Sequence, residues 1–153
     1  MPLLETRVAP EWVDYNGHMN DAEYARVFSL AVEALMDRIG LDVDGRARHG
    51  YTLYTLETHL CYRCEAHEGA LLVVDPMLLD HDAKRLHVFF TMRDSEGREL
   101  ATSEQMLMGM SSENGRPSAF PESVAEHIAH LPHPADGEWP VLAGRRIAIP
   151  RSH

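Results

Sequence analysis

The sequence predicts a single α+β domain in which an antiparallel β-sheet wraps around one long central α-helix. Its 153 residues suit one domain with a sizeable core. A strongly apolar helical segment lies near the N-terminus, and four strand-like segments joined by short connections follow it. A helix that is apolar nearly all round must be buried, so we expect these strands to cover it.

The N-terminal segment predicts a short strand and then a loop. Residues 3–8 have strand character, and Pro10 ends the run. The chain is then loop-like up to residue 20, with a turn signal at Asn16-Gly17. The loop therefore leads directly into the apolar helix.

The long helix has start and stop signals. Asn20 or Asp21 can cap its first turn, because a side-chain oxygen at either position can accept from a free backbone N–H. Gly40 stands where a glycine ends a helix. The apolar side chains between these signals are Tyr24, Val27, Phe28, Leu30, Ala31, Val32, Leu35, Met36 and Ile39.

Four strands follow the helix, and their short connections favour antiparallel pairing in a meander. They are predicted at residues 51–64, 70–80, 84–94 and 99–112. Pro76 predicts a bulge or an edge position in the second of these strands.

The C-terminal part of the chain differs in composition from the rest. Residues 121–131 can form a short helix, and the remainder is rich in proline and glycine. We therefore predict a core domain at residues 1–116 and an extension at residues 117–153 that packs on the surface of this domain.

Composition and charge exclude several classes of protein. Hydrophobic residues make up 44% of the chain and charged residues 25%, which is ordinary for a globular protein. No apolar run reaches the roughly 18 to 20 residues that cross a bilayer, and the first residues lack a secretory pattern. We therefore predict a cytoplasmic protein without membrane association. A net charge of −10 argues against nucleic-acid binding and suits either solubility or the attraction of a cationic substrate.

Cysteine spacing and known catalytic motifs give no support for metal or redox chemistry. Cys61 and Cys64 lie in a strand-like run, where residues three apart face opposite sides, so two reduced thiols are expected. The G-x-S-x-G, H-E-x-x-H and P-loop patterns are absent from the sequence. We predict no cofactor and no metal.

The stretch VDYNGHMNDAEY carries a family resemblance. It matches the pattern D-x-x-G-H-x-N-x-x-x-Y at Asp14, Gly17, His18, Asn20 and Tyr24. Together with the order of helix and strands over residues 3–112, it resembles the hotdog-fold acyl-CoA thioesterases of the 4-hydroxybenzoyl-CoA thioesterase type. Within that family the segments are most similar to the betainyl-CoA thioesterases of carnitine breakdown.

The residues of this stretch can carry thioester hydrolysis. Asp14 could attack the carbonyl or deprotonate water, and free N–H groups from about Gly17 to Asp21 could stabilise the oxyanion. Without the resemblance, Asp14 could equally cap a turn or pair with an arginine. His18 is expected to orient the loop rather than act as the base, and Asn20 to cap the helix and position water or substrate.

Substrate contacts are predicted from side-chain chemistry. The quaternary ammonium of a betainyl group is best held by aromatic faces, for which Trp12, Tyr15 and Tyr24 are candidates, although Tyr24 could simply pack in the core. The phosphates of CoA need cations, and the candidates are Arg63, Lys84 and Arg85.

The resemblance also implies assembly and leaves two alternatives. Members of this family pair into homodimers or tetramers with active sites at the interface. The first alternative is a protein that binds acyl-CoA without hydrolysing it. The second is a hydratase or dehydratase, which would need an acid such as Glu33 on the helix opposite a histidine.

Overall fold

The computed structural model describes residues 2–151. Residue 1 of the predicted core domain and residues 152 and 153 of the predicted extension lie outside the described part. Within it, five strands form one antiparallel sheet. The strands are Leu4–Arg7 (β1), Tyr51–Tyr62 (β2), Leu71–His81 (β3), Arg85–Arg93 (β4) and Glu99–Ser111 (β5). The helices are Asp21–Arg38 (α1), Val43–His49 (α2) and Glu122–Ile128 (α3). The sheet curls around α1, which confirms the predicted fold class.

The predicted meander is correct for β3, β4 and β5 and wrong for β2. The sheet order is β1-β3-β4-β5-β2, so β2 pairs with β5 and lies at the edge opposite β1. The connection between β2 and β3 cannot be a hairpin, because β4 and β5 separate them. It passes instead beside the loop before α1, where His67 forms a β-bridge with His18.

Helix α1 buries one broad stripe rather than its whole circumference. Its fully buried residues include Val27, Ala31 and Leu35, which pack in the core under the sheet. The other face, with Ser29 and Glu33, is exposed in the protomer. The prediction of a helix wrapped on all sides is therefore wrong for one face.

The end of α1 follows from Gly40, as predicted. This glycine has φ of +88°, and its N–H donates to the Asp37 carbonyl at 3.2 Å. The N–H of Leu41 donates to the Met36 carbonyl at 2.7 Å. Both bonds satisfy carbonyls that the last helical turn would otherwise leave free.

Helix α2 has no counterpart among the predicted elements. Its sequence VDGRARH has no apolar periodicity, which is why hydrophobic pattern did not reveal it. The Asp42 side chain caps it by accepting from Gly45 N–H at 2.7 Å, and Gly50 ends it with φ of +58°. The capping aspartate and the terminal glycine are the two signals from which α2 could have been predicted.

Strand β2 contains a β-bulge next to α1. Leu56 and Glu57 together oppose Met106 of β5, so the pairing register shifts between Thr55 and Glu57. The extra residue brings both Thr55 and Thr58 to the face of the sheet that covers α1, because their partners on β5 lie on that face. Bulges of this kind are common at sheet edges and beside active sites.

The proline in β3 lies at an edge, as predicted. The last pair between β1 and β3 joins Leu4 to Val74, so Pro76 lies beyond the reach of β1. Its other neighbour is Phe90 of β4. A proline is acceptable here because no strand on its open side requires an N–H donor.

The segment after β5 contributes to the core and also crosses the outer face of the sheet. Its buried side chains Val124, Ile128 and Leu131 belong to the main hydrophobic cluster. Further on, Gly144 N–H donates to the Glu104 carboxylate at 2.8 Å. The domain boundary at residue 116 stays a prediction. In the described part of the chain, no helix is long and apolar enough to cross a membrane.

Candidate active site

The loop between β1 and α1 is a tight turn closed by backbone hydrogen bonds. Asp14 N–H donates to the His18 carbonyl at 2.9 Å, and Gly17 N–H donates to the Asp14 carbonyl at 2.9 Å. Gly17 has φ of +77°, which only glycine adopts readily, and this explains the glycine in the motif. The turn presents the exposed side chain of Asp14 just before the helix.

The carboxylate of Asp14 has two different oxygens. Its Oδ1 accepts from Asn16 N–H at 2.9 Å and from His18 N–H at 3.2 Å. Both bonds use the same oxygen, which leaves Oδ2 available for a water or a substrate. The aspartate therefore caps the turn, which is one of the roles it could have without catalysis. It still offers a free carboxylate oxygen.

His18 is held by an acid and by a second histidine. Its Nδ1 lies 3.3 Å from Glu65 Oε2, and its ring meets that of His67 edge to face with centroids 4.7 Å apart. Residues 65–67 lie on the connection that follows β2, so the two chain segments fix the imidazole between them. This arrangement is that of an oriented side chain rather than a mobile one.

Of the two residues predicted to cap the start of α1, Asp21 and not Asn20 accepts a backbone N–H. Asn20 occupies the N-cap position, but its side chain makes no capping hydrogen bond. Its backbone N–H donates to the Trp12 carbonyl at 2.9 Å. The Asp21 carboxylate instead accepts from Ala22 N–H at 2.9 Å. The side-chain amide of Asn20 therefore stays available for another partner.

The backbone amides near the helix start are mostly occupied. Those of Gly17, His18 and Asn20 donate as described, and Met19 N–H donates to the Ala66 carbonyl at 2.8 Å. Among the amides from residue 17 to 21, only that of Asp21 donates to no acceptor within residues 2–151. The first N–H groups of a helix lack intrahelical acceptors, and the helix dipole makes this end partially positive.

Two tyrosines build the wall of a shallow pocket at this point. The buried Tyr24 hydroxyl donates to the Cys64 carbonyl at 3.3 Å and accepts from Ala66 N–H at 3.2 Å. Tyr62 packs edge to face on Tyr24 with centroids 5.2 Å apart, and its hydroxyl donates to the Asp21 carbonyl at 3.2 Å. Burial raises the pKa of Tyr24 above its ordinary value, so its hydroxyl stays protonated at neutral pH.

The pocket has a volume of about 260 Å³. It is lined by Met19, Asp21, Tyr24, Tyr62, Arg63, Cys64 and Glu65. Both Cys61 and Cys64 are free thiols.

The three aromatic residues proposed for the acyl group lie in different environments. Tyr24 is buried, and Trp12 is half-buried against the hydrophobic core. Tyr15 is 97% exposed at the tip of the turn. The aromatic neighbour of Tyr24 is Tyr62, and an aromatic box from Trp12, Tyr15 and Tyr24 stays a prediction.

The three cations proposed for CoA lie at opposite ends of the sheet. Arg63 lines the pocket, and its N–H donates to the Leu100 carbonyl at the start of β5. Arg85 pairs with Met108 on β5. Met108 lies eight residues after Leu100 and therefore about 27 Å from it at the rise of an antiparallel strand. Lys84 is the neighbour of Arg85 in sequence. One protomer therefore cannot bring all three to one phosphate group.

Arg85 is also engaged locally. Its Nε donates to Asp82 Oδ2 at 2.7 Å, and this hydrogen bond is the main reason that the pKa of Asp82 falls to about 2. The roles of Lys84 and Arg85 in CoA binding stay predictions.

The predicted oxyanion donors ran from about Gly17 to Asp21, and the structure leaves only the Asp21 amide of that set without an acceptor among residues 2–151. Sequence reasoning missed two other residues of this pocket. Tyr62 and Glu65 carried no local signal, since they meet Asp21 and His18 only through the fold.

The fold and this site together define a class of protein. A curled antiparallel sheet around a long helix, with a carboxylate turn at the helix start, is the arrangement of a hotdog-fold enzyme acting on thioesters. Residues 8–128 match the model of the thioesterase-like superfamily, and the chain belongs to this family.

Individual relatives are similar over nearly the whole chain. A betainyl-CoA thioesterase of Pseudomonas aeruginosa is 44% identical over 98% of this chain and 96% of its own length. An L-carnitine dehydrogenase/betainyl-CoA thioesterase of Agrobacterium fabrum is 38% identical over 97% of this chain, which spans only 31% of that longer protein. The structure of a Staphylococcus aureus protein in complex with CoA has a TM-score of 0.89, with 38% identity, and the match covers 96% of this chain and 94% of that one.

Proposed function

We propose that this protein hydrolyses betainyl-CoA to betaine and CoA. The observation that carries the proposal joins two groups that have no partner among residues 2–151: the second carboxylate oxygen of Asp14, in the turn before α1, and the backbone amide of Asp21 at the helix start. Thioester hydrolysis needs these two parts: a base or nucleophile and a donor for the developing oxyanion. The betainyl group is assigned from the activity for which the relatives of Pseudomonas aeruginosa and Agrobacterium fabrum are named.

In the proposed reaction the thioester oxygen accepts a hydrogen bond from Asp21 N–H. The macrodipole of the 18-residue helix α1 adds to this stabilisation. Asp14 Oδ2 then acts in one of two ways. It attacks the carbonyl carbon and expels the thiolate to give a mixed anhydride, which water hydrolyses, or it removes a proton from the water that attacks.

The neighbouring residues position these groups. Gly17 allows the turn that holds Asp14, and His18 fixes the turn against the connection after β2 through Glu65. The side chain of Asn20 makes no capping bond and can hold the attacking water or the substrate. These are positioning roles, since the chemistry needs only the carboxylate and the amide.

The charge of the protein agrees with a cationic acyl group. A net charge of −10 attracts a quaternary ammonium and disfavours an anionic acyl group. Arg63, on the rim of the pocket, is the cation we assign to a phosphate of CoA. The cytoplasmic location of the protein stays a prediction.

We further propose that the protein is a homodimer joined through β2. This strand is an edge of the sheet, so one row of its backbone groups has no neighbouring strand. Its Tyr54 and Leu56 are each 52% exposed. Antiparallel pairing of β2 with its copy would bring the Lys84 end of one protomer towards the Arg63 end of the other. Light scattering should give twice the 17.3 kDa of one chain, and a particle of 17.3 kDa would refute the dimer.

The hydratase alternative has less support within one protomer. Glu33 is exposed on α1, 12 residues after Asp21 and therefore about 18 Å along the helix. His18 is paired with Glu65 instead. Glu33 is thus not placed opposite this histidine.

The function is tested by release of free CoA thiol from betainyl-CoA, acetyl-CoA and crotonyl-CoA. We expect rapid release from betainyl-CoA, and no loss of the enoyl absorbance of crotonyl-CoA. Release from acetyl-CoA alone would remove the betainyl assignment and keep the thioesterase. Binding of betainyl-CoA without thiol release by folded protein would favour the non-hydrolytic binder.

A further inference from the structure

One side of the pocket at the start of α1 is formed by aromatic rings and carboxylates. Tyr24 and Tyr62 meet there edge to face, with ring centroids 5.2 Å apart. Asp21 and Glu65 also line the pocket, and within residues 2–151 the lining contains one cation, Arg63. Two acidic side chains thus stand against one basic side chain, which the proposed function assigns to a phosphate of CoA.

Tyr62 is the aromatic residue of this pocket that a ligand can reach. It is 50% exposed, whereas Tyr24 is 4% exposed and uses its hydroxyl to bridge two backbone groups. The Tyr62 hydroxyl donates to the Asp21 carbonyl at 3.2 Å, and its ring packs on that of Tyr24. The ring of Tyr62 therefore has a fixed position and keeps an open surface.

This ring lies close to the place of the reacting carbonyl. The thioester oxygen on the Asp21 amide lies about 2.9 Å from the amide nitrogen. Tyr62 is bonded to the carbonyl oxygen of the same residue, which only Cα and the carbonyl carbon separate from that nitrogen. In a betainyl group three covalent bonds join the ammonium nitrogen to the thioester oxygen, so the two lie within about 4 Å of each other. The head can therefore lie within the roughly 6 Å over which an aromatic ring attracts a cation.

The charges on this side of the pocket favour a cation. Burial raises the pKa of Tyr24, and the charge of Glu65 adds to this effect. Burial and the charge of Asp21 raise the pKa of Tyr62 in the same way. A negative potential that disfavours a phenolate also favours a positive charge at the same place.

The pocket suits a small cationic acyl group better than an anionic or a neutral one. Its volume of about 260 Å³ is below the range of about 300 to 1,000 Å³ that drug-sized ligands occupy. An anionic group would face two carboxylates, and a neutral group of the same shape would gain packing without electrostatic attraction. A quaternary ammonium has no N–H to donate, so aromatic rings and carboxylates are the partners that suit it.

We infer that Tyr62 and Glu65 are specificity-determining residues that hold the cationic head of the acyl group, Tyr62 through its ring and Glu65 through its charge. The inference rests on the proposed function, because it takes the Asp21 amide as the oxyanion donor. It does not depend on the aromatic residues Trp12 and Tyr15 that the sequence predicted for the same group.

The test compares two substrates of the same shape and different charge. These are betainyl-CoA and 3,3-dimethylbutanoyl-CoA, in which a carbon atom replaces the ammonium nitrogen. The ratio of their kcat/KM values, betainyl-CoA over the neutral analogue, measures recognition of the charge. A change that slows both substrates equally cancels in this ratio, so damage to the catalytic turn or to the oxyanion donor leaves the ratio unchanged.

Two variants of Tyr62 separate its ring from its hydroxyl. Tyr62→Leu removes the ring, and Tyr62→Phe keeps the ring and removes only the hydroxyl that bonds to the Asp21 carbonyl. We expect the ratio to fall about fivefold in Tyr62→Leu, the effect of one cation–π contact at a partly exposed site, and to stay within about twofold of wild type in Tyr62→Phe. A ratio within about twofold of wild type in folded Tyr62→Leu overturns the inference, and so does an equal fall in both variants.

A second pair of variants tests the charge and keeps the inference testable if Tyr62→Leu does not fold. Glu65→Gln removes the charge at constant size. Glu68→Gln is the matched control, because Glu68 lies on the same connection and outside the lining of the pocket. We expect the ratio to fall about threefold in Glu65→Gln, the size of a partly exposed charge interaction, and to be unchanged in Glu68→Gln. Equal ratios in these two variants overturn the role of Glu65.

The wild-type protein separates failure of the inference from failure of the proposed function. Thiol release from both substrates with a ratio near one overturns the inference and keeps the thioesterase. Absence of thiol release from both substrates overturns the proposed function itself.

Discussion

Asp14 and Asp94 close two turns of the same construction. Each carboxylate accepts from the N–H groups of the second and fourth residues after it, at 2.9 and 3.2 Å for Asp14 and at 2.9 Å in both cases for Asp94. Each turn has a glycine at its fourth position, Gly17 with φ of +77° and Gly97 with φ of +80°. Turn geometry alone therefore explains an aspartate at either position.

The two turns differ in what happens to the other carboxylate oxygen. In the second turn Arg98 donates from Nε to Asp94 Oδ2 at 3.1 Å, and its backbone N–H is the main reason that the pKa of Asp94 is lowered. In the first turn the equivalent residue is His18, whose ring points to Glu65. Asp14 thus keeps an oxygen without an ion pair, just before α1.

Replacing His18 by alanine should reduce kcat about tenfold, well short of the loss expected for Asp14. The reason is that both hydrogen bonds between residues 14 and 18 use backbone atoms of residue 18, so that the change removes only the oriented imidazole. His67→Ala is the comparison: it removes only the edge-to-face contact with the His18 ring and should therefore cost less. Steady-state kinetics of thiol release measure both. A loss as complete as that of Asp14→Asn would make His18 the base.

Tyr24→Phe should lower the free energy of unfolding by about 1 to 2 kcal/mol, because the hydroxyl bridges the buried Cys64 carbonyl and Ala66 N–H. It should also raise KM, since this bridge holds the wall of the pocket against α1. Urea unfolding and steady-state kinetics give the two values. Ser95→Ala, which removes an exposed hydroxyl from the turn between β4 and β5, should change neither the stability nor KM.

Stability should fall as the pH rises from about 10 to about 12. Burial raises the pKa of Tyr51 to about 12, so the unfolded chain loses this proton near its ordinary pKa of 10 while the folded protein keeps it. The Tyr51 hydroxyl donates to the Ser118 carbonyl at 2.6 Å.

Tyr51→Phe should therefore be about 1 kcal/mol less stable at neutral pH and lose less stability between these pH values. The remaining loss reflects Tyr24 and Tyr62, whose pKa values burial also raises. Urea unfolding at a series of pH values measures the free energy of unfolding of wild type and Tyr51→Phe, with the exposed Tyr15→Phe as control. An identical alkaline slope in Tyr51→Phe and wild type would refute this account.

The elements that the sequence predicted are those set by local chemistry. Helix α1 and its end at Gly40 follow from apolar content and a glycine with positive φ, and the hairpins β3-β4-β5 follow from short connections. The place of β2 beside β5 could not be predicted, because that pairing joins residues some 40 to 60 positions apart in the sequence.

The same distinction holds for the site. Asp14 and Gly17 stand in one short motif, so their neighbourhood was readable from the sequence. The contacts of Tyr62 with α1 and of Glu65 with His18 depend on the path of the β2–β3 connection, which only the fold reveals. Gln105 looked like an ordinary strand residue, and only the fold shows that its amide oxygen is buried without a hydrogen-bond donor among residues 2–151.

The comparison of Asp14→Asn with Asp94→Asn tests the central claim most directly. Asparagine keeps a side-chain oxygen for the two backbone donors, so both variants should fold. With betainyl-CoA as substrate, Asp14→Asn should lose roughly 10²- to 10⁴-fold in kcat, the range for removing a base, while Asp94→Asn should match wild type. Equal activity of the two variants would show that Asp14 only closes its turn, and would contradict the account.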